Sequence, residues 1–238
     1  MFSMDRTVRY SECGVTGDLT PTGIVNYFQD CSTAQSEALG VGVAYMKERG
    51  KAWILTSWQI IVHRRPQLGE DVVVSTWPTG FQGFFGTRNY LIKDAEKNVI
   101  AQANSIWILM DTNTGRPTKV REEDMAAYTL GEPLEMEYAP RKIESADCQV
   151  AGDTFAVRLC HLDTNNHVNN GKYVEMATEY ATEIAFAKQI RVEYKQAAIY
   201  GDIIVPKLAK EKERTVVELE SPEGKVYAVI EITGEKEV

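Results

Sequence analysis

Asp163-Thr164-Asn165-Asn166-His167-Val168-Asn169-Asn170 is the stretch of this chain whose side chains are best equipped for chemistry. A carboxylate, a carboxamide and an imidazole occupy alternate positions, Asp163, Asn165 and His167. On an extended backbone that spacing sends all three side chains to one side. A carboxylate that activates water, an amide that holds a carbonyl oxygen and an imidazole that moves protons near neutral pH together suit cleavage of an activated acyl group. The same composition also describes an ordinary turn running into a helix cap. Residue types alone leave both readings open.

The element that would position these groups follows directly. Tyr173, Met176, Ala177, Tyr180 and Ile184 recur at spacings of three and four, with Glu175, Glu179 and Glu183 on the opposite side. This pattern predicts an amphipathic helix from about Gly171 to Lys188, capped by Asn169 or Asn170. The unpaired N–H groups at its start would form an electropositive cradle next to His167. Other constellations are weaker. Cys160 with His161 or His167 has the makings of a nucleophile pair, but a lone cysteine at a strand end is more often a small buried hydrophobe. His161, Asp163 and His167 have ligand chemistry but no second cluster, so no metal and no cofactor is expected. His63 ends an apolar strand, where a structural role fits, and no G-x-S-x-G elbow occurs.

Composition sets bounds. With 44% hydrophobic and 25% charged residues the chain has the make-up of a folded globular protein. A net charge of −8 argues against nonspecific nucleic-acid binding. The four cysteines, Cys13, Cys31, Cys148 and Cys160, are widely spaced with no C-x-x-C pair, which suggests reduced thiols. Met1 to Tyr10 is broken by charges and does not read as a signal segment, and no apolar run approaches the roughly 18 residues of a membrane span. A cytoplasmic protein without membrane association is expected.

Along the chain, a strand at 4–13 precedes a helix capped by Thr22 and running to about Leu39. Strands are predicted at 52–63, 71–77, 84–94 and 98–111. Residues 121–128 could form a short helix, and Gly131 to Ala146 carries Pro and charge with no sustained period, so 121–148 reads as a linker between a unit at 1–120 and another at 149–238. In the second unit, a strand at 153–159 precedes the 160–188 element, and strands follow at 189–199, 202–210, 213–221 and 225–233. The halves match in order: Leu68-Gly69-Glu70-Asp71 parallels Tyr200-Gly201-Asp202, and Asn26-Tyr27-Phe28-Gln29 parallels Lys172-Tyr173-Val174-Glu175. The earlier helix is preceded by Asp18-Leu19-Thr20-Pro21-Thr22, without a histidine.

Asp-x-Asn-x-His-Val-Asn-Asn-x-x-Tyr, Asp163 to Tyr173, resembles the signature of the acyl-acyl-carrier-protein thioesterases of plants and bacteria, as do Trp77-Pro78-Thr79-Gly80-Phe81 and Trp107-Ile108-Leu109-Met110-Asp111. The resemblance covers about residues 4–234. It implies an α+β double hotdog, each unit a curved antiparallel sheet wrapped around a long central helix. It also implies hydrolysis of a fatty acyl-carrier-protein thioester to free fatty acid and carrier thiol, by a monomer or homodimer. Asp163, Asn165 and His167 would be catalytic, and Tyr27, Phe28, Cys31 and Tyr173 would contact the acyl substrate. Tyr27, Phe28 and Cys31 can equally be plain core. An acidic carrier would need a basic patch on this acidic chain, for which Arg64-Arg65 and Arg141-Lys142 are the candidates. One departure stands out: the acidic residue that many relatives carry after the catalytic helix aligns with Ala197, so that activity rests on Asp163, Asn165 and His167 alone, or Gln196 or Glu193 substitutes, or hydrolysis is impaired; the first is the expectation. Hydrolysis of acyl-CoA, or binding of acyl thioesters without cleavage, are the competing functions. A dehydratase of the same fold is a remoter one.

Overall fold

The computed structural model describes residues 1–234, so the last four residues of the unit expected to end at Val238 lie outside it. The chain divides into two compact units, Met1–Thr56 with His63–Ala139, and Ser57–Val62 with Pro140 onward.

In the first unit, β1 (Phe2–Thr7), β3 (Asp71–Gln82), β4 (Phe85–Lys93) and β5 (Val99–Asp111) form an antiparallel sheet in the order β1-β3-β4-β5. The first half of β2 (Lys51–Val62) belongs here too, with α2 (Val43–Glu48), α3 (Glu122–Met125) and the short β6 (Arg116–Pro117) on β5. The long helix α1 (Pro21–Ala38) buries Ile24, Val25, Phe28, Cys31 and Gln35 against β3 and its neighbours. These residues keep the three-and-four spacing of a single apolar face. The cap is Thr20 rather than Thr22: its Oγ1 accepts the Gly23 N–H at 3.0 Å, and Pro21 takes the first helical position, where its missing N–H is not needed.

The second unit repeats the plan. β9 (Gln189–Tyr194), β10 (Ile203–Lys210), β11 (Arg214–Glu220) and β12 (Val226–Thr233) run antiparallel in the order β9-β12-β11-β10. Ser57–Ile61 of β2 pairs with β9, and the short β7 (Gln149–Val150) and β8 (Phe155–Ala156) pair with β10. The helix α4 covers only Asn170–Thr178, burying Tyr173, Val174, Met176 and Ala177. The predicted continuation to Lys188 breaks into a 3-10 turn at Thr182–Phe186. Carboxylates at a helix C-terminus oppose its dipole. Glu183 instead accepts from Thr215 Oγ1 at 2.9 Å and pairs with Lys210 at 3.1 Å, drawing the segment toward the sheet. Helix and antiparallel sheet, built twice, make the fold a double hotdog.

The stretch read as a linker is tied down along its length. Trp77 Nε1 donates to the Glu132 carbonyl at 2.9 Å, and Leu134 N–H and the Tyr138 hydroxyl both donate to Asn89 Oδ1 in the first unit. In the second, Arg191 donates to the carbonyls of Pro140 and Lys142, and Ile143 is buried against Val216 and Val229. The boundary between the compact units falls between Ala139 and Pro140, inside this stretch.

Candidate active site

Asp163 and His167 face each other across a closed turn, not along an extended strand. Leu162 and Val168 form an antiparallel bridge, and Asp163 N–H donates to the His167 carbonyl at 2.7 Å. Directly opposed residues of an antiparallel pair carry their side chains on one side. Turn closure therefore brings the two together, while Asn165 stands exposed at the tip. The turn is possible because Asn166 adopts φ 59°, a left-handed conformation that asparagine tolerates better than most residues. One Asp163 oxygen, Oδ1, accepts the N–H groups of Asn165 at 2.8 Å and His167 at 3.2 Å. The other has no hydrogen bond among the described residues and is left to meet water or substrate. Nor does the Asn165 carboxamide or the exposed His167 imidazole have a side-chain hydrogen bond among the described residues.

The electropositive cradle expected at the helix start is largely self-satisfied. Asn169 caps α4, its Oδ1 accepting Gly171 N–H at 2.8 Å and its carbonyl accepting Lys172 N–H at 2.9 Å. Val168 and Asn169 N–H groups donate to Ala198 O and His161 O, both at 2.9 Å. The Asn165 side-chain amide is the more accessible donor for a developing oxyanion.

The first unit contains the same loop without its chemistry. Cys13 bridges Leu19 as Leu162 bridges Val168, each pair separated from its counterpart by 149 residues. Gly14 N–H donates to Asp18 O at 2.9 Å, and Gly17 takes the left-handed position at φ 82°. Leu19 N–H donates to Pro66 O as Val168 N–H donates to Ala198 O, both at 2.9 Å. In this register Gly14 stands for Asp163, Thr16 for Asn165 and Asp18 for His167. Tyr27 then corresponds to Met176, not to Tyr173 as the sequence match suggested.

Behind the loop, the Tyr173 hydroxyl accepts the Ala198 N–H at 2.9 Å. Asp202 Oδ2 accepts the Ile199 N–H at 3.0 Å and the Tyr227 hydroxyl at 3.2 Å. Burial above all, then the nearby Tyr227, Asp202 and Asp163 acids, outweigh the Ala198 hydrogen bond and push the Tyr173 phenol up to about 12. Tyr173 is only 2% exposed, and its hydroxyl braces the strand that holds the loop. Tyr173→Phe leaves the Ala198 N–H without its acceptor and is expected to lower stability by about 1–3 kcal/mol, read as a lower denaturant midpoint at unchanged m-value.

The other residues expected to contact substrate are buried as well: Tyr27, Phe28 and Cys31 are 3%, 0% and 0% exposed. Tyr27 donates to Glu12 Oε2 at 2.6 Å, Phe28 packs on Tyr90 with centroids 5.1 Å apart, and Cys31 Sγ lies 3.4 Å from the Val74 carbonyl. Burial pushes the Cys31 thiol up to about 12, which removes it as a nucleophile. Glu193 is no substitute for the missing acid: its carboxylate accepts Ile143 N–H at 3.1 Å and lies 3.8 Å from Arg141. Ala197 is exposed, and the bridge between His167 and Ile199 puts it opposite Asn169, on the His167 side. Arg64, offered as part of a docking patch, is bound to Glu70 at 2.6 Å and Asp94 at 3.1 Å. His161, treated in the sequence as a possible partner of Cys160 or a metal ligand, precedes the loop with Nδ1 accepting Arg158 N–H at 3.0 Å.

Comparison with known families decides the kinship. Residues 1–128 match the acyl-ACP thioesterase N-terminal domain and residues 144–236 the C-terminal domain. The chain belongs to the acyl-ACP thioesterase family. An acyl-[acyl-carrier-protein] hydrolase of Cuphea viscosissima is 29% identical over 190 residues, which is 73% of this chain and 45% of that protein. A palmitoyl-acyl carrier protein thioesterase of Arabidopsis thaliana is 25% identical over 215 residues, 82% of this chain and 52% of that one. The chain thus spans about half the length of these chloroplastic relatives. Among solved structures, an acyl-ACP thioesterase from Bacteroides thetaiotaomicron superposes with a TM-score of 0.89 at 21% identity, covering 98% of this chain and 97% of that one. The 12:0-ACP thioesterase of Umbellularia californica gives 0.83 at 19%, covering 98% and 96%. At these identities the likeness shows that this acyl-ACP thioesterase family member shares their fold.

Proposed function

We propose that this chain is an acyl-[acyl-carrier-protein] hydrolase, cleaving a fatty acyl-carrier-protein thioester to free fatty acid and carrier thiol and so ending fatty acid synthesis. The observation that carries this reading is the duplicated loop. The same backbone occurs in both units, but only the second sets a carboxylate and an imidazole across its mouth. In the proposed reaction, the unbonded oxygen of Asp163 orients a water, His167 takes its proton, and the oxygen adds to the thioester carbonyl. The Asn165 amide donates to the oxyanion. Collapse breaks the C–S bond, and His167 returns the proton to the departing thiolate. Purified protein mixed with acyl carrier proteins and acyl-CoAs of matched chain lengths tests this, with free thiol as the readout. Release well above background from carrier substrates supports it, and faster release from CoA would move the assignment to an acyl-CoA thioesterase.

Ala197 favours a second reading, an acyl-thioester binding protein that does not cleave. An acid at 197 would stand one diagonal step from His167, where it can polarise the imidazole. Ala197→Glu is expected to raise kcat by roughly tenfold in the hydrolase reading. If the wild type binds tightly without turnover and this variant turns over, the binding reading holds instead.

A further inference from the structure

We propose that His161 is a positioning residue for this hydrolysis: its neutral imidazole, by accepting the Arg158 N–H, holds the turn from which the Asp163–His167 loop is suspended. The proposal rests on the catalytic reading of that loop. Nδ1 accepts Arg158 N–H at 3.0 Å, and the His161 carbonyl accepts Asn169 N–H at 2.9 Å. One residue thus ties the entry of the loop to the cap of α4, with the loop between them.

The first unit shows what the position requires. There Glu12 Oε2 accepts Arg9 N–H at 2.8 Å, and the Glu12 carbonyl accepts Thr20 N–H at 3.0 Å. A carboxyl group offers an acceptor oxygen whether or not it is ionised, whereas an imidazole nitrogen accepts only while unprotonated. Histidine at this place therefore makes the acceptor one that acidification removes. Tyr27 also donates to Glu12 Oε2, at 2.6 Å, but Met176 at the matching position cannot donate. The charges around His161 are Arg158 on its own turn and, from α4, Lys172 and Glu175, which pair with each other at 2.7 Å. Burial first, then Lys172 and Arg158 against the opposing Glu175, hold the imidazole below its ordinary range, so it is neutral at pH 7. Because the folded value is the lower one, stabilisation is complete above the unfolded value of about 6.5 and is lost as pH falls through the folded value.

Nitrogen-15 NMR of the full chain tests this without turnover, since there are three histidines to assign. At pH 7.5 His161 is expected as the Nε2–H tautomer with Nδ1 unprotonated. On acidification Arg158 amide protection from exchange should fall at least about tenfold in step with the His161 signal, while His167 is read from its own resonances. His161→Ala should lack that protection at every pH, and His161→Glu should retain it at pH 5.5. With acyl carrier protein as substrate, His161→Ala is expected to lose about tenfold in kcat at little change in KM. His161→Glu should recover most of that loss and lack the His161 limb of the acid profile. Equal Arg158 protection in wild type and His161→Ala, or a protonated Nδ1 at pH 7.5, would overturn the proposal. A wild type with the expected NMR behaviour but no hydrolysis would overturn the catalytic reading of the loop, and with it any role for His161 in hydrolysis.

Discussion

His167→Ala is expected to lower kcat for acyl-carrier-protein hydrolysis by about 10²–10⁴-fold, with KM changed far less. The imidazole is exposed beside the opposed Asp163 and makes no side-chain hydrogen bond among the described residues, so its removal costs the fold little. Its N–H and carbonyl, which close the turn on Asp163, are backbone groups and survive the substitution. A large loss of rate at an unchanged unfolding midpoint is therefore the signature of a proton-handling group. Equal losses of rate and stability would make His167 a piece of the turn.

Asp163→Asn is the second large effect, and it separates two roles of one side chain. Oδ1 holds the Asn165 and His167 N–H groups, and an asparagine oxygen can still accept both. The amide nitrogen would occupy the other position, where the carboxylate oxygen proposed to orient water now lies. The variant is expected to fold with the loop closed yet lose about 10²–10³-fold in kcat. Asp163→Ala removes both roles and is expected to lower stability as well, by about 1–3 kcal/mol for two N–H groups left without their acceptor. The difference in stability between the Asn and Ala variants, read by denaturant unfolding, isolates the structural part.

Much of this was legible in the residues. Apolar periodicity located α1 and most sheet strands to within a few residues, because their buried faces are long and regular, but it overran β1, which ends at Thr7, and β9, which ends at Tyr194, and stopped short in β3, which runs on to Gln82. The Asp163-x-Asn165-x-His167 run was legible as chemistry, but its geometry was not. Alternation assumes an extended backbone, and one left-handed residue, Asn166, folds the run into a turn that closes Asp163 on His167 and leaves Asn165 at the tip. The helix was read too long because Tyr180 and Ile184 keep a helical spacing, while the bonds from Glu183 to Thr215 and Lys210 that end it are remote in sequence. The stretch at 121–148 has no period because side chains, not a repeating ladder, hold it: Trp77 and Asn89 within the first unit, Arg191 and Glu193 within the second. His161 was passed over for a related reason. Its part is visible only beside Glu12, and the two are 149 residues apart with no side-chain likeness. The repeat was visible at the Gly69 and Gly201 turns, but the loops align only through their hydrogen bonds.

The most direct test is single-turnover release of thiol from a long-chain acyl carrier protein by the wild type, Asp163→Asn and His167→Ala, with binding of the same substrate measured in parallel. The expected result is rapid release by the wild type, and binding without comparable release by both variants. Release by either variant at the wild-type rate would contradict the assignment of the chemistry to this loop.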